Sequence, residues 1–336
     1  MINVAINGFG RIGRLVLRAG ITNPNIKFVA INDLCDPGIM AHMLRYDSVH
    51  GPFRHELMAY EKTIQANGQD IQIFGEREPE KLPWRDLGVD VVIEATGCFR
   101  DKKCMETHLK AGAEKVLLSA PLKGEDREGT KTIVMGVNEH EYNGEALVSN
   151  ASCTTNCFAP MAKVINDNYG IEGGVMTTVH AYTGDQKIHD APHCDLRRGK
   201  AAALNIVPTS TGAAKAVMEV IPQLKGRLVA SAIRVPVADG SLVNFVAETK
   251  QIGVSKEEIN NLFRNVAETH MKGILEYSEE ALVSSDIIGN PHSCILDSQL
   301  TNVIDSEMMV LTGWYDNEWG FTNQMLKTAL VIGETL

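Results

Sequence analysis

Val4-Ala5-Ile6-Asn7-Gly8-Phe9-Gly10-Arg11-Ile12-Gly13-Arg14 decides the fold of this chain. A short apolar run ends on a Gly-x-Gly-x-x-Gly turn, and Arg11 to Ala19 can wind into a helix directly behind it, so strand, turn and helix follow one another. Missing side chains at Gly8 and Gly10 permit a tight turn and close backbone approach to a pyrophosphate, which then rests on the N-terminal dipole of the helix. Gly13 completes the pattern. Three glycines in six residues can also be a plain turn, and the next strand tips the balance. Phe28-Val29-Ala30-Ile31 ends at Asn32-Asp33, about 20 residues after Gly13, where a carboxylate accepts hydrogen bonds from ribose hydroxyls and repels a 2′-phosphate. Asp33 could merely cap the next turn, with Asp36-Pro37 continuing it. Strand, glycine turn, helix, strand and acid in that order favour a dinucleotide site, and NAD over NADP.

Outward from this stretch the alternation continues, with apolar runs at Val91-Val92-Ile93, Val116-Leu117-Leu118 and Ile133-Val134-Met135, as expected for parallel strands joined by crossover helices. Asp101 to Ala111 reads as a helix with an acidic cap, stopping at Gly112. Leu57 to Phe74 departs from the alternation, because two segments flank Asn67-Gly68 in a hairpin pattern. Past residue 170 strand-like runs succeed one another at Val175 to Tyr182, Leu228 to Val237, Leu242 to Thr249, Cys294 to Leu300 and Met308 to Tyr315, which suggests an antiparallel sheet. Helices are expected at Thr154 to Asn168, Gly212 to Ile221, Lys256 to Met271 and from Glu318 onward. The fold class is therefore α/β: a Rossmann-type parallel-sheet dinucleotide-binding domain, then an α+β catalytic domain with a mainly antiparallel sheet. With 336 residues there is room for about two domains of ordinary size.

Composition narrows the function. A net charge of −10 argues against nucleic-acid binding, although a local basic pocket can still hold a small anion. No apolar run approaches a membrane span, and Met1-Ile2-Asn3 lacks the basic start of a signal peptide, which points to the cytoplasm. Seven cysteines, an odd and scattered set, read as reduced thiols.

One cysteine stands apart. In Ser149-Asn150-Ala151-Ser152-Cys153-Thr154-Thr155-Asn156-Cys157, Cys153 lies at the start of an apolar-faced helix, where the dipole and backbone N–H groups stabilise a thiolate and a nearby histidine would help. Most of the seven are expected to be buried and structural. Cys157, a turn further on, faces the core. The best partner is His180, at the end of an alternating strand in Thr177-Thr178-Val179-His180-Ala181-Tyr182-Thr183. His189, His193 and Cys194 lack a second ligand pair at zinc-site spacing, so no metal is assigned. A Cys-His pair alone does not single out one chemistry, since proteases and transferases use it too.

Taken together these segments resemble the glyceraldehyde-3-phosphate dehydrogenase family, over essentially the whole chain. The resemblance is carried by Asn7 to Arg14, Ser149 to Asn156, His180 to Thr183, Ser210-Thr211-Gly212-Ala213-Ala214-Lys215, Arg234-Val235-Pro236 and Trp314-Tyr315-Asp316-Asn317-Glu318-Trp319-Gly320. It implies Cys153 as nucleophile and His180 as base. Thiolate attack on the aldehyde would give a hemithioacetal, hydride loss to the nicotinamide a thioester, and inorganic phosphate an acyl phosphate. The resemblance carries over Ser152, Thr154, Thr211, Gly212 and Arg234 for one phosphate pocket, with Thr183 and Arg198 for the other. Arg198 without the family match would read as a solvated loop charge. For the cofactor it implies Arg11, Ile12, Asp33, Arg77, Ser119 and Asn317, alongside Gly8, Gly10, Gly13, Thr96 and Gly97. Asn317 would hold the nicotinamide amide. The final helix should return to the first domain, giving residues 1–151 and 317–336 to NAD and 152–316 to substrate. Residues 187–205 correspond to a loop at subunit contacts in a homotetramer.

Two departures from the family pattern matter. Ala191-Pro192 replaces the Leu-Pro common in NAD-preferring members, which loosens the bar against a 2′-phosphate, so NADP stays as the lesser alternative to NAD. Val237-Ala238-Asp239-Gly240 differs from the common Thr-Pro-Asn-Val. Competing assignments are an erythrose-4-phosphate dehydrogenase, which transfers the acyl group mainly to water, and a catalytically silent binding or adhesion protein on the same fold. The latter should have lost Cys153 or His180, and neither is lost.

Overall fold

The computed structural model describes residues 1–305 and 307–336. In chain order the elements are β1 (Ile2–Asn7), α1 (Arg11–Gly20), β2 (Ile26–Asn32), α2 (Pro37–Arg45), β3 (Tyr46–Asp47), β4 (Gly51–Pro52), β5 (Leu57–Ala59), β6 (Thr63–Ala66), β7 (Gln69–Phe74), β8 (Val91–Glu94), α3 (Lys102–Lys110), β9 (Lys115–Leu118), β10 (Thr130–Thr132) and β11 (Leu147–Ser149). They continue with α4 (Cys153–Tyr169), β12 (Ile171–Ala181), β13 (Val207–Thr209), α5 (Ala213–Val220), β14 (Leu228–Val235), β15 (Ser241–Thr249), α6 (Lys256–Glu268), β16 (Leu275–Ser278), β17 (Cys294–Asp297), β18 (Asn302–Ile304), β19 (Met308–Tyr315) and α7 (Trp319–Gly333). The chain divides into two compact units: Met1–Val134 with Asn138–Ser152 and Thr322–Leu336, and Met135–Val137 with Cys153–Phe321.

The first unit is built on a nine-stranded sheet in the order β10-β11-β9-β8-β1-β2-β7-β6-β5. It is parallel from β10 to β7, and β6 and β5 extend it antiparallel. Central strands carry unbroken apolar runs because both faces are covered: Val91, Val92 and Ile93 on β8 are fully buried, as are Val116, Leu117 and Leu118 on β9. Trp84 closes one face against Ala5, Ala30, Val92 and Ala113. The hairpin forms as read, with Asn67 (φ 47°) and Gly68 (φ 74°) turning β6 into β7. Asp101 caps α3, its carboxylate accepting from the Cys104 N–H at 2.9 Å.

Ile133-Val134-Met135 is not a strand; the pairing segment is Thr130–Thr132 just before it. The ladder stops because the Asn138 side chain replaces it. Asn138 Oδ1 accepts from Val134 N–H (2.9 Å) while Nδ2 donates to Thr132 O (2.8 Å). Ile133 and Val134 are still buried, so the apolar run serves the core without extending the sheet. The adjoining strand β11, which the apolar pattern does not pick out, leads straight into the cysteine motif.

The second unit carries an eight-stranded sheet, β13-β14-β12-β15-β19-β17-β16, with β18 on β19. Most neighbours are antiparallel, but β12 and β14 run parallel over eight residue pairs, as do β16 and β17 over four. The first of these follows from the long connection after β12, which returns through α5 to the same side. Helix α4 packs across this sheet. Phe158 meets Phe245 edge-on with ring centroids 4.8 Å apart, both fully buried, a contact worth about 1 kcal/mol beyond its area. Among the described residues no helix is long and apolar enough to cross a membrane.

Candidate active site

The catalytic candidates lie in the second unit. Cys153 is the first residue of α4, and His180 lies one residue before the end of β12, directly paired with Arg234 on β14. Cys153 Sγ stands 3.4 Å from His180 Nε2. On the other side of the ring, His180 Nδ1 lies 2.7 Å from the Ala181 carbonyl oxygen. When Nδ1 donates to that carbonyl, the Nε2 lone pair faces the thiol. Arg234 Nη1 donates to the same carbonyl at 3.0 Å and lies 2.9 Å from Nδ1.

Burial and charge set the protonation states. Desolvation pushes the Cys153 thiol up to about 11, against the lowering effect of Arg234 and of the Thr154 backbone and hydroxyl. Desolvation also pushes His180 down to about 3, and the Arg234 charge acts in the same direction. Burial therefore works against the thiolate that the helix start favours. The helix terminus and Arg234 favour the thiolate, loss of water opposes it, and desolvation is the largest influence on both the thiol and the imidazole.

Tyr315, which sequence reasoning quoted only as part of a motif, braces the pair. Its ring packs edge-on against His180 with centroids 5.8 Å apart, and its hydroxyl contacts Thr154 Oγ1 at 2.9 Å and Thr178 Oγ1 at 2.8 Å. Thr154 thus directs its hydroxyl inward. Ser241 is the other residue the sequence did not single out: its hydroxyl accepts from Ala181 N–H (3.1 Å) and donates to Asn317 Oδ1 (2.6 Å). With the oxygen of Asn317 occupied, its amide NH2 is the group left to hold a ligand. Neither residue had a signal in spacing, since both act through contacts between strands distant in sequence.

The anion-binding candidates are partly engaged within the protein. Arg198 donates from Nη1 to Asp185 (2.7 Å), from Nε to Thr209 Oγ1 (2.9 Å) and from Nη2 to Ser210 O (3.2 Å). Thr211 Oγ1 accepts from Ala213 N–H at the start of α5, next to Gly212. Thr183 follows β12 and Ser152 precedes α4, both half-buried. Arg234 Nε is buried with no hydrogen-bond partner among the described residues, and so are both amide atoms of Gln186. A buried guanidinium N–H without an acceptor suits an incoming phosphate oxygen.

In the first unit the glycine turn is locked by its surroundings. Gly8 has φ +92°, and a Cβ there would lie 2.6 Å from Thr96 N, while a Cβ on Gly13 would lie 2.0 Å from Gly8 O. Gly10 faces open space, and no side chain caps α1. Asp33 accepts from Phe9 N–H (2.7 Å) and Cys35 N–H (3.0 Å), leaving lone pairs on both oxygens for ribose hydroxyls. Thr96 and Gly97 follow β8, and Ser119 follows β9, all at the carboxyl ends of parallel strands. Buried Glu94 anchors this end, accepting from Asn7 Nδ2 (2.5 Å), Thr96 N–H (2.8 Å) and the Thr96 hydroxyl, with His108 Nε2 at 3.1 Å. Arg11 pairs with Asp47 at 2.6 Å, Ile12 is half-buried on α1, and Arg77 is exposed beyond β7. Open space at Gly10, an uncapped helix start and an acid with spare lone pairs together fit a dinucleotide.

Residues 2–102 match the model of the glyceraldehyde 3-phosphate dehydrogenase NAD binding domain, and residues 152–317 that of the glyceraldehyde 3-phosphate dehydrogenase C-terminal domain. The chain belongs to the glyceraldehyde-3-phosphate dehydrogenase family. It is 51% identical to a glyceraldehyde-3-phosphate dehydrogenase of Streptomyces coelicolor, over 100% of this chain and 99% of the relative. It is 50% identical to glyceraldehyde-3-phosphate dehydrogenase 1 of Bacillus subtilis, over 99% and 98% of the two chains, and to a Geobacillus stearothermophilus glyceraldehyde-3-phosphate dehydrogenase over 98% of each. As a member of this family it is an oxidoreductase, and NAD is its cofactor.

Proposed function

We propose that the protein oxidises glyceraldehyde 3-phosphate to 1,3-bisphosphoglycerate with inorganic phosphate, through a thioester on Cys153. The observation that carries this reading is the 3.4 Å approach of Cys153 Sγ to Nε2 of His180. Attack on the aldehyde moves the thiol proton to His180, which hands it to the nascent alkoxide and so completes the hemithioacetal. Burial keeps the imidazole neutral at neutral pH, so its lone pair is free to take the proton. Bound NAD supplies the hydride acceptor. As the hemithioacetal is oxidised its hydroxyl proton passes to His180, and a thioester remains. Phosphate attack on that thioester releases the acyl phosphate and returns the thiol.

In this reading Arg234, with Ser152, Thr154, Thr211 and Gly212, serves one phosphate, and Thr183 and Arg198 serve the other. Asp33 reads the ribose and Asn317 presents its amide NH2 to the carboxamide of NAD. Residues 1–151 and 317–336 hold the cofactor and 152–316 the substrate. The reading also makes the protein a cytoplasmic homotetramer. Its support is the set of strongly exposed apolar side chains Ile188, Leu196, Leu204 and Ile206, on and beside the loop that the family places at subunit contacts.

Initial rates of NADH formation with glyceraldehyde 3-phosphate and NAD, with and without phosphate, test the proposal. The expected result is a strongly phosphate-dependent rate that falls when erythrose 4-phosphate replaces the triose or NADP replaces NAD. A phosphate-independent rate, or preference for the tetrose, would assign acyl transfer to water instead.

A further inference from the structure

Beneath the nucleophile lies a cluster of sulfur atoms that the reaction does not use. Cys157 on α4 and Cys294 on β17 are both fully buried, as is Met161 one turn beyond Cys157. All three converge over Gly313 on β19. A Cβ at Gly313 would lie 2.5 Å from Met161 Sδ, 2.9 Å from Cys294 Sγ and 3.3 Å from Cys157 Sγ. Cys157 Sγ also reaches the Gly313 carbonyl at 3.6 Å. Burial and the neighbouring Cys294 thiol both push the Cys157 thiol up. Buried cysteines often act only as small apolar filling. These two differ, because they converge on one point over Gly313, and Cys157 lies one helical turn beyond Cys153, a half-buried residue.

We propose that Cys157 and Cys294 form a buried dithiol relay that clears hydroperoxide oxidation from Cys153 and stores it as a Cys157–Cys294 disulfide. The inference rests on Cys153 being the catalytic nucleophile. A hydroperoxide converts the Cys153 thiol to a sulfenic acid, releasing water or an alcohol. The Cys157 thiol displaces hydroxide from that sulfur, giving a Cys153–Cys157 disulfide and a second water. The Cys294 thiol then attacks Cys157 sulfur. The Cys157–Cys294 bond forms, the Cys153–Cys157 bond breaks, and the proton ends on Cys153. In sum two thiols lose two electrons and two protons to one peroxide, and the nucleophile is restored.

Geometry supplies the direction. Residues four apart on a helix have Cα atoms about 6 Å apart, toward the upper end of what a disulfide spans, so a Cys153–Cys157 bridge strains the first turn of α4. A strained bridge is the more easily opened one. Cys294 approaches from β17, and its convergence with Cys157 over Gly313 compensates for the low reactivity of a buried thiol.

Treatment with one equivalent of hydrogen peroxide, acid quenching, alkylation and peptide mapping tests the relay, using wild type, Cys294→Ser, Cys294→Ala and Cys157→Ser. Untreated, all should turn over alike. Wild type should then carry a Cys157–Cys294 disulfide with an alkylatable Cys153, and recover activity without added reductant. Both Cys294 variants should accumulate the Cys153–Cys157 disulfide and stay several-fold less active until dithiothreitol is added. Cys157→Ser should form neither bridge and progress to sulfinic acid at Cys153. Absence of the Cys157–Cys294 bridge in wild type, or equal loss and recovery in wild type and the Cys294 variants, overturns the relay. If iodoacetamide labelling of Cys153 in untreated enzyme leaves turnover intact, the nucleophile reading fails instead, whatever the disulfide map.

Discussion

Cys153 combines two opposing influences that a motif does not weigh. Its place at the start of α4 and its nearness to Arg234 favour the thiolate, while burial beside Tyr315 and His180 opposes it and prevails. The sign is testable in the free enzyme. Iodoacetamide reacts with the thiolate, so with the thiol near 11 the inactivation rate should climb about tenfold per pH unit between roughly pH 7 and 9. A flat rate over that range would show that a thiolate is already standing. Cys153 and His180 were legible as a pair of candidates because helix start and strand end are local signals. The balance between helix start and burial was not, because it depends on how much water the fold removes.

Among the elements, the turn between β1 and α1 carries the most specific expectation. Gly10 and Gly13 belong to one motif but meet different surroundings, open space at the first and the Gly8 carbonyl at the second. Gly10→Ala should leave the melting temperature within about 2 °C of wild type, as for a substitution that meets nothing, yet weaken NAD about tenfold or more by filling the space the pyrophosphate approaches. Gly13→Ala should lower both melting temperature and NAD affinity, because the turn must open. Calorimetric titration with NAD and a thermal melt separate the two. Equal melting temperatures for both variants would contradict the account of the turn. The same scale holds the misread strand: Ile133-Val134-Met135 has the composition of a strand, but one side chain, Asn138, takes the hydrogen bonds that would have extended it.

For the whole molecule, the exposed apolar surface points to association. Ile188, Leu196, Leu204 and Ile206 are 69–84% exposed in the isolated chain, and Val175 and Val229 on β12 and β14 are more than half exposed. Apolar side chains in such number seldom stay in water. Sedimentation equilibrium should find a particle of four 36.7 kDa chains at micromolar concentration. Leu204→Asp together with Ile206→Asp should shift it toward dimer or monomer without unfolding it. A wild-type protein that sediments as a monomer would remove the assembly from the proposed function.

What the amino-acid sequence determined alone was whatever depends on neighbours in the chain. The glycine turn, Asp33 at the end of β2, the capped helix α3, the Asn67-Gly68 hairpin, and Cys153 and His180 as candidates all follow from local spacing and backbone sterics. Only the tertiary structure decided the rest. The parallel pairing of β12 with β14, which sets Arg234 beside His180, joins strands more than 40 residues apart in sequence. Tyr315 and Ser241 enter the site through the same kind of long-range pairing, and the sulfur cluster over Gly313 needs a helix and two strands to meet. The physical reason is common to all of them. Hydrogen bonds across a sheet and the exclusion of water are properties of segments brought together, and no single segment records them.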